Sequence, residues 1–152
     1  MLFDINADGV KDRITWSDRG STVAFVAMDL DGDGQINDGS ELFGNAMQLA
    51  SGENAVNGFE ALNALDLNHD GRVDGGDPDW PRLLLWIDAD HDGISQADEL
   101  LSVTRSTLTG IETDYRWTGR RDAAGNVFGY QSNAYLGHGR RPIWDVFLRS
   151  VP

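Results

Sequence analysis

Asp88-Ala89-Asp90-His91-Asp92-Gly93-Ile94-Ser95-Gln96-Ala97-Asp98-Glu99 places carboxylates at positions 1, 3 and 5 of a twelve-residue stretch, a glycine at position 6 and a glutamate at position 12. This is the loop pattern of an EF-hand calcium site, in which the glycine permits the sharp turn and the last residue closes the oxygen cage. The opening recurs as Asp4-x-Asn6-x-Asp8-Gly9, Asp29-x-Asp31-x-Asp33-Gly34 and Asp66-x-Asn68-x-Asp70-Gly71. A single Asp-Gly is an ordinary turn, whereas four copies of a six-residue pattern in 152 residues exceed what turn preferences explain. The spacing predicts two to four bound calcium ions.

The loops differ in how they close. In the fourth, Asp88, Asp90 and Asp92 are joined by the Ile94 carbonyl and Glu99, although the apolar residue at position 7 instead of 8 leaves Asp98 as an alternative closing ligand. The third offers Asp66, Asn68, Asp70, the Arg72 carbonyl and Asp77, with Asp74 at position 9 and the apolar Val73 at position 8. Aspartate at position 12 reaches an ion less easily than glutamate. The second has Asp29, Asp31, Asp33, the Gln35 carbonyl and Asn37, with Ser40 at position 12, so it reads as a thirteen-residue variant closed by Glu41. The first has Asp4, Asn6, Asp8, the Val10 carbonyl and Asp12, followed by Thr15, a poor closing ligand. A solvated Asx turn is the alternative for each loop, and it weighs most for the first. Magnesium seldom accepts a cage built wholly of protein oxygens. His69 and His91, at position 4 of their loops, are expected to point outward, and neither they nor His138 read as a catalytic base.

Charge follows the loops. The chain carries a formal net charge of −13, and 17 of its 25 acids lie in the four loops. Residues 1–110 hold 21 acids against 6 Lys+Arg, and residues 111–152 hold 4 against 6. Such a balance argues against a nucleic-acid partner. There is no cysteine, which excludes disulfides, thiolate metal sites and thiol nucleophiles. No apolar run reaches the roughly 18 residues of a membrane helix, and Met1-Leu2-Phe3 enters the first loop with no signal-like region, reading as a fragment boundary.

Local patterns predict an α+β fold: EF-hand-like loops joined by short helices and β-hairpins, with a β-rich C-terminal segment. Residues 13–28 read as a hairpin turning at Ser17–Ser21, and Asn57-x-x-Glu60 as the capping box of a helix bearing Phe59, Leu62 and Leu65. Asp79–Ile87 reads as a short buried helix with Pro81 in its first turn, and Ala97–Val103 as another helix. After Gly110 the pattern becomes a hairpin and a last strand. The expected division is 1–110, a calcium-binding domain with loops at 4–15, 29–41, 66–77 and 88–99, and 111–152, a β-rich extension packed on it. The aromatics Tyr115, Trp117, Tyr130, Tyr135 and Trp144 could stack on sugars, but packing within the sheet is the commoner fate of such rings.

Asp29-Leu30-Asp31-Gly32-Asp33-Gly34-Gln35-Ile36-Asn37-Asp38-Gly39-Ser40-Glu41-Leu42-Phe43-Gly44, then Asn57-Gly58-Phe59-Glu60-Ala61-Leu62 and Leu85-Trp86-Ile87-Asp88 through Leu100, carry a resemblance. Over about residues 3–112 the chain resembles the EF-hand-like calcium domains of large secreted bacterial RTX-type proteins and adhesins, among them the self-processing modules of meningococcal iron-regulated RTX proteins. The resemblance implies secretion, a larger secreted parent and folding triggered by extracellular calcium. It also raises an enzymatic alternative: in self-processing members an aspartate attacks its own main-chain carbonyl at an Asp-Pro bond, and the anhydride is captured by water or a lysine. In those relatives the cut bond lies upstream of the region matched here. Asp77-Pro78 is the one Asp-Pro in this sequence, with Asp77 already read as a calcium ligand, and Lys11 is the sole lysine. The expectation is therefore a non-enzymatic calcium module, monomeric in isolation; a carbohydrate-binding adhesive module is the further alternative.

Overall fold

The computed structural model describes residues 1–16 and 22–152, so the turn expected at Ser17–Ser21 lies outside the described residues. In chain order the elements are β1 (Leu2–Phe3), β2 (Asp12–Arg13), β3 (Phe25–Met28), α1 (Gly58–Asn63), β4 (Arg72–Asp74), β5 (Leu83–Trp86), β6 (Leu100–Ser102), β7 (Leu108–Glu112), β8 (Arg116–Arg121), β9 (Val127–Leu136) and β10 (Gly139–Phe147). Short 3-10 turns occupy Gly39–Glu41, Trp80–Arg82 and Val103–Arg105. Among the described residues these make three antiparallel sheets: β1-β2, β3-β5-β6, and a five-stranded sheet in the order β10-β9-β7-β4 with β8 also pairing β9.

The α+β expectation with helix-flanked EF-hand loops is overturned. The chain is mostly β, its one described α-helix is six residues long, and strands take the places assigned to helices. Leu83–Trp86, read as a buried helix, is the central strand of β3-β5-β6, with Trp86 set between Phe25 and Leu100. A short apolar run suits a strand as well as a buried helix, and here pairing with β3 on one side and β6 on the other decides it. Pro81 sits in the 3-10 turn just before it. Ala97–Val103, also read as a helix, is a turn followed by β6 and the start of another 3-10 turn. The hairpin expected over 13–28 does not form, because β2 pairs with β1 while β3 pairs with β5. The first and fourth loops accordingly connect the antiparallel pairs β1-β2 and β5-β6.

Helix α1 forms where the capping signal places it. The Asn57 side chain accepts from the Glu60 N–H at 2.9 Å, and the Glu60 carboxylate accepts from the Val56 N–H at 2.5 Å, one residue earlier than a reciprocal capping box would use. Its buried face, Phe59 and Leu62, joins Val73, Leu83, Ile111 and Ala134 in one core cluster. A second cluster gathers Phe3, Ile14, Trp16, Ile36 and Trp86 beneath the first, second and fourth loops. Each such side chain contributes roughly 1.5–3 kcal/mol by leaving water.

Beyond residue 110, β8, β9 and β10 form an antiparallel meander. Strand β4, from within the third loop, is drawn into the same sheet through Arg72↔Glu112 and Val73↔Ile111. The C-terminal aromatics pack on one another: Tyr115 stacks on Phe59 at 5.5 Å, and Tyr130, which reaches the core, meets Tyr115 and Trp117 edge-on at 5.3 and 5.1 Å, while Trp117 stays 59% exposed. No described helix is long and apolar enough to cross a membrane.

Candidate metal centre

All four loops share one backbone path. Position 4 has positive φ in each, at Ala7 (57°), Gly32 (78°), His69 (56°) and His91 (63°), and so does the glycine at position 6, Gly9, Gly34, Gly71 and Gly93, at 78–88°. Only at the second of these positions does every loop use glycine, the residue that adopts this conformation without steric cost. The turn aims N–H groups inward at the first carboxylate. Asp4 accepts from Asp8 and Gly9, Asp29 from Gly32 and Gly34, Asp66 from Asp70 and Gly71, and Asp88 from Gly93. The residue at position 5 in turn accepts from the N–H at position 7: Asp8 from Val10, Asp33 from Gln35, Asp70 from Arg72 and Asp92 from Ile94, at 2.7–3.0 Å.

The closing residue is fixed by a second contact. Glu41 accepts from the Leu30 N–H at 2.8 Å, Asp77 from Leu67 at 3.0 Å and Glu99 from Ala89 at 2.7 Å, so in each case the last carboxylate reaches back to the residue after the first ligand. Its other oxygen is also engaged: Glu41 with the Asn37 N–H, Asp77 with the Asp74 N–H, and Glu99 with the Trp86 indole N–H at 3.4 Å. Glu99 is thus the residue carried over the fourth loop, while Asp98 is exposed. The first loop has no such closure. Its Thr15 hydroxyl donates instead to the Asn126 side chain and the Arg149 carbonyl.

Two loops bring three carboxylates together. Oxygens of Asp29, Asp31 and Glu41, and of Asp88, Asp90 and Glu99, lie within 4.8 Å of one another. The first and third loops gather no such trio; each has an asparagine, Asn6 or Asn68, at position 3. The donor set is entirely oxygen, which suits a hard cation. Asp88 is 3% exposed and its Oδ1 is enclosed with no hydrogen-bond partner among the described residues, the expected state of a ligand oxygen whose partner is an ion. His91 departs from expectation in the same loop, its Nε2 being enclosed and without a partner there.

Electrostatics differ among the loop carboxyls. Burial pushes the Glu41 and Asp88 carboxyls above the ordinary carboxylate range against their backbone hydrogen bonds, and the charge of Glu99 adds to the effect at Asp88. At Asp29 burial acts the same way, but the N–H groups of Gly34 and Gly32 outweigh it and hold the carboxyl low. A divalent cation would reverse the upward shifts.

Across residues 1–149 the sequence matches the SPM domain. The chain belongs to the SPM domain family. It is 34% identical over 134 residues to the iron-regulated protein FrpA of Neisseria meningitidis serogroup C, a match taking in 87% of this chain and 12% of FrpA. In that relative the matching stretch is one module of a far longer protein.

Sequence reasoning missed the coupling between loops in this SPM domain. Ser95, 2% exposed, accepts the Ile36 N–H on its hydroxyl at 2.6 Å, joining position 8 of the second loop to position 8 of the fourth. Asp4 and Asp38 form a parallel bridge that places the first loop beside the exit of the second. At the neighbouring Gly39 an added Cβ would overlap the Ile5 carbonyl. The signal for Ser95 was present as a polar residue at a position that is usually apolar. By spacing alone it points to a shift of the closing ligand.

Proposed function

We propose that this SPM domain is a calcium-binding module that folds or rigidifies as its loops take up ions, and that it serves within a secreted bacterial protein of the RTX type. What carries the reading is the convergence of Asp88, Asp90 and Glu99, with the enclosed, unpartnered Asp88 Oδ1, repeated in outline by Asp29, Asp31 and Glu41. Three carboxylates at this spacing repel one another, so the cost of gathering them is recovered when a dication neutralises them. The second and fourth loops are the strongest sites and the third follows. The first, lacking a closing carboxylate, is the weakest. Extracellular modules of this kind hold calcium with dissociation constants of roughly 10⁻⁴–10⁻³ M, matched to millimolar calcium outside the cell. At 1 to 10 times its dissociation constant a site adds about 0.4–1.4 kcal/mol to folding.

Calorimetric titration of chelator-stripped protein tests the reading. Two or more calcium ions are expected, with one fewer in Glu99→Gln; absence of uptake at millimolar calcium would remove the proposal.

For the alternative of an Asp-Pro-cleaving module, the bond available in this sequence is Asp77-Pro78. The Asp77 carboxylate is held by the N–H groups of Leu67 and Asp74, and its carbonyl accepts from the Trp80 N–H. Those contacts favour closure of the third loop over attack on the chain.

A further inference from the structure

One face of the C-terminal sheet collects four arginines around a single carboxylate, Glu112, and so carries an excess of positive charge. Strand alternation separates the inward residues Tyr130, Ala134 and Ile143, which join the core, from the outward residues Gln131, Asn133, Tyr135 and Trp144. On the outward face the Arg72 guanidinium lies over the Tyr135 ring at 4.1 Å, and Arg120 lies over Phe128 and Trp144 at 4.8 and 5.0 Å. Arg116 donates to the Gln131 side chain at 2.9 Å, and Arg140 sits opposite Tyr135 in register. Among the described residues the one ion pair is Arg82–Asp79, so none of these four is in direct contact with a carboxylate, and the Glu112 charge bears on Arg140 and Arg72 only through space. Glu112, in the midst of the face, spends its oxygens on the Asn133 and Tyr135 side chains.

A guanidinium lying flat on a ring keeps its N–H edges turned outward, and that planar fork matches a carboxylate bidentately. We propose that this face binds a carboxylate-bearing polysaccharide, its uronate groups meeting the edges of Arg72, Arg116, Arg120 and Arg140. Neutral sugars are disfavoured because guanidinium groups already cover the Tyr135, Phe128 and Trp144 rings that would stack on them. Nucleic acid is disfavoured by charge density: duplex DNA carries a charge per about 1.7 Å, so the net charge of −13 repels it more strongly than it repels a polyuronate, whose charge is spread over whole sugar units. Four side-by-side strands about 4.8 Å apart make a face roughly 15 Å across, wide enough for a few sugars. The proposal is independent of whether the acidic loops take calcium.

The test is calorimetry of the protein, in calcium and at low ionic strength, with a hyaluronan octasaccharide, whose alternate sugars are uronates. Binding is expected, weakening with salt and falling about tenfold or more in Arg120→Gln/Arg140→Gln. The double variant should keep the parent circular dichroism spectrum, and Arg105→Gln, remote on an exposed turn, should bind as the parent does. Four results would overturn the proposal: no binding; binding unchanged in the double variant; a neutral oligosaccharide bound as well; or single-stranded DNA of equal charge bound more tightly. Salt-sensitive self-association abolished by the double variant would overturn it too, by placing the acidic loops of a second copy on this face.

Discussion

The Ser95 hydroxyl stands 2.6 Å from the Ile36 amide nitrogen and is the buried hinge between the second and fourth loops. Neither residue is a candidate ligand. Each nevertheless directly follows the position-7 residue of its own loop, Gln35 or Ile94, whose carbonyl is a candidate ligand, so a shift in either loop passes through this bond. Replacing Ser95 by alanine strands a buried N–H, which costs about 1–3 kcal/mol. Denaturant unfolding of Ser95→Ala in saturating calcium should show that loss, and the calcium isotherm should become less cooperative. Unchanged stability would mean that the loops are not coupled here.

Closure of the fourth loop rests on Glu99 and not on Asp98. Glu99→Gln should weaken calcium uptake at that loop by about tenfold or more, since one charge leaves the cage, while Asp98→Asn should leave it unaltered. Paired titrations of the two variants separate these outcomes, and equal losses would refute the assignment.

The indole N–H of Trp86 reaches Glu99 at 3.4 Å, close enough for a terbium ion in the fourth loop to be sensitised by the ring. Terbium emission excited through tryptophan should appear on binding and be lost in Trp86→Phe, with the calcium stoichiometry kept. Persistent emission in that variant would place the sensitised ion elsewhere.

Asp145, on β10, is buried, and the desolvation pushes its carboxyl above the ordinary range against a single hydrogen bond from the Gly58 N–H at 3.1 Å. Between the unfolded and folded values the native state holds the extra proton, so this group's contribution to stability is greatest in acid and is lost as pH rises through the folded value. Asp145→Asn keeps an acceptor for Gly58 and removes the charge. Relative to the parent it should gain stability towards neutral pH and show a shallower fall between the ordinary carboxylate range and pH 7, measured by urea midpoints at fixed calcium. An identical pH profile would contradict this.

The turns of the site were legible in the sequence because each rests on local chemistry: an Asx side chain two residues before an N–H, and a glycine where φ is positive. The helix at Gly58–Asn63 was legible for the same reason, through Asn57 and Glu60. What lies between the loops was not. Leu83–Trp86 carries no periodicity that distinguishes helix from strand, and its choice is made by Phe25–Met28 and Leu100–Ser102, far away in the chain. The pairing of Val73 with Ile111 is likewise a tertiary event that no spacing announces. Glu41 and Glu99 were found by counting, whereas Ser95 needed the partner loop to be in view.

The decisive measurement is a far-UV circular dichroism titration of chelator-stripped protein with calcium, closed by a denaturing gel of the end point. Calcium-driven folding predicts a large gain of β signal, saturating at millimolar calcium, with an intact band. A spectrum already native without calcium and unmoved by it, or the appearance of discrete fragments, would contradict it.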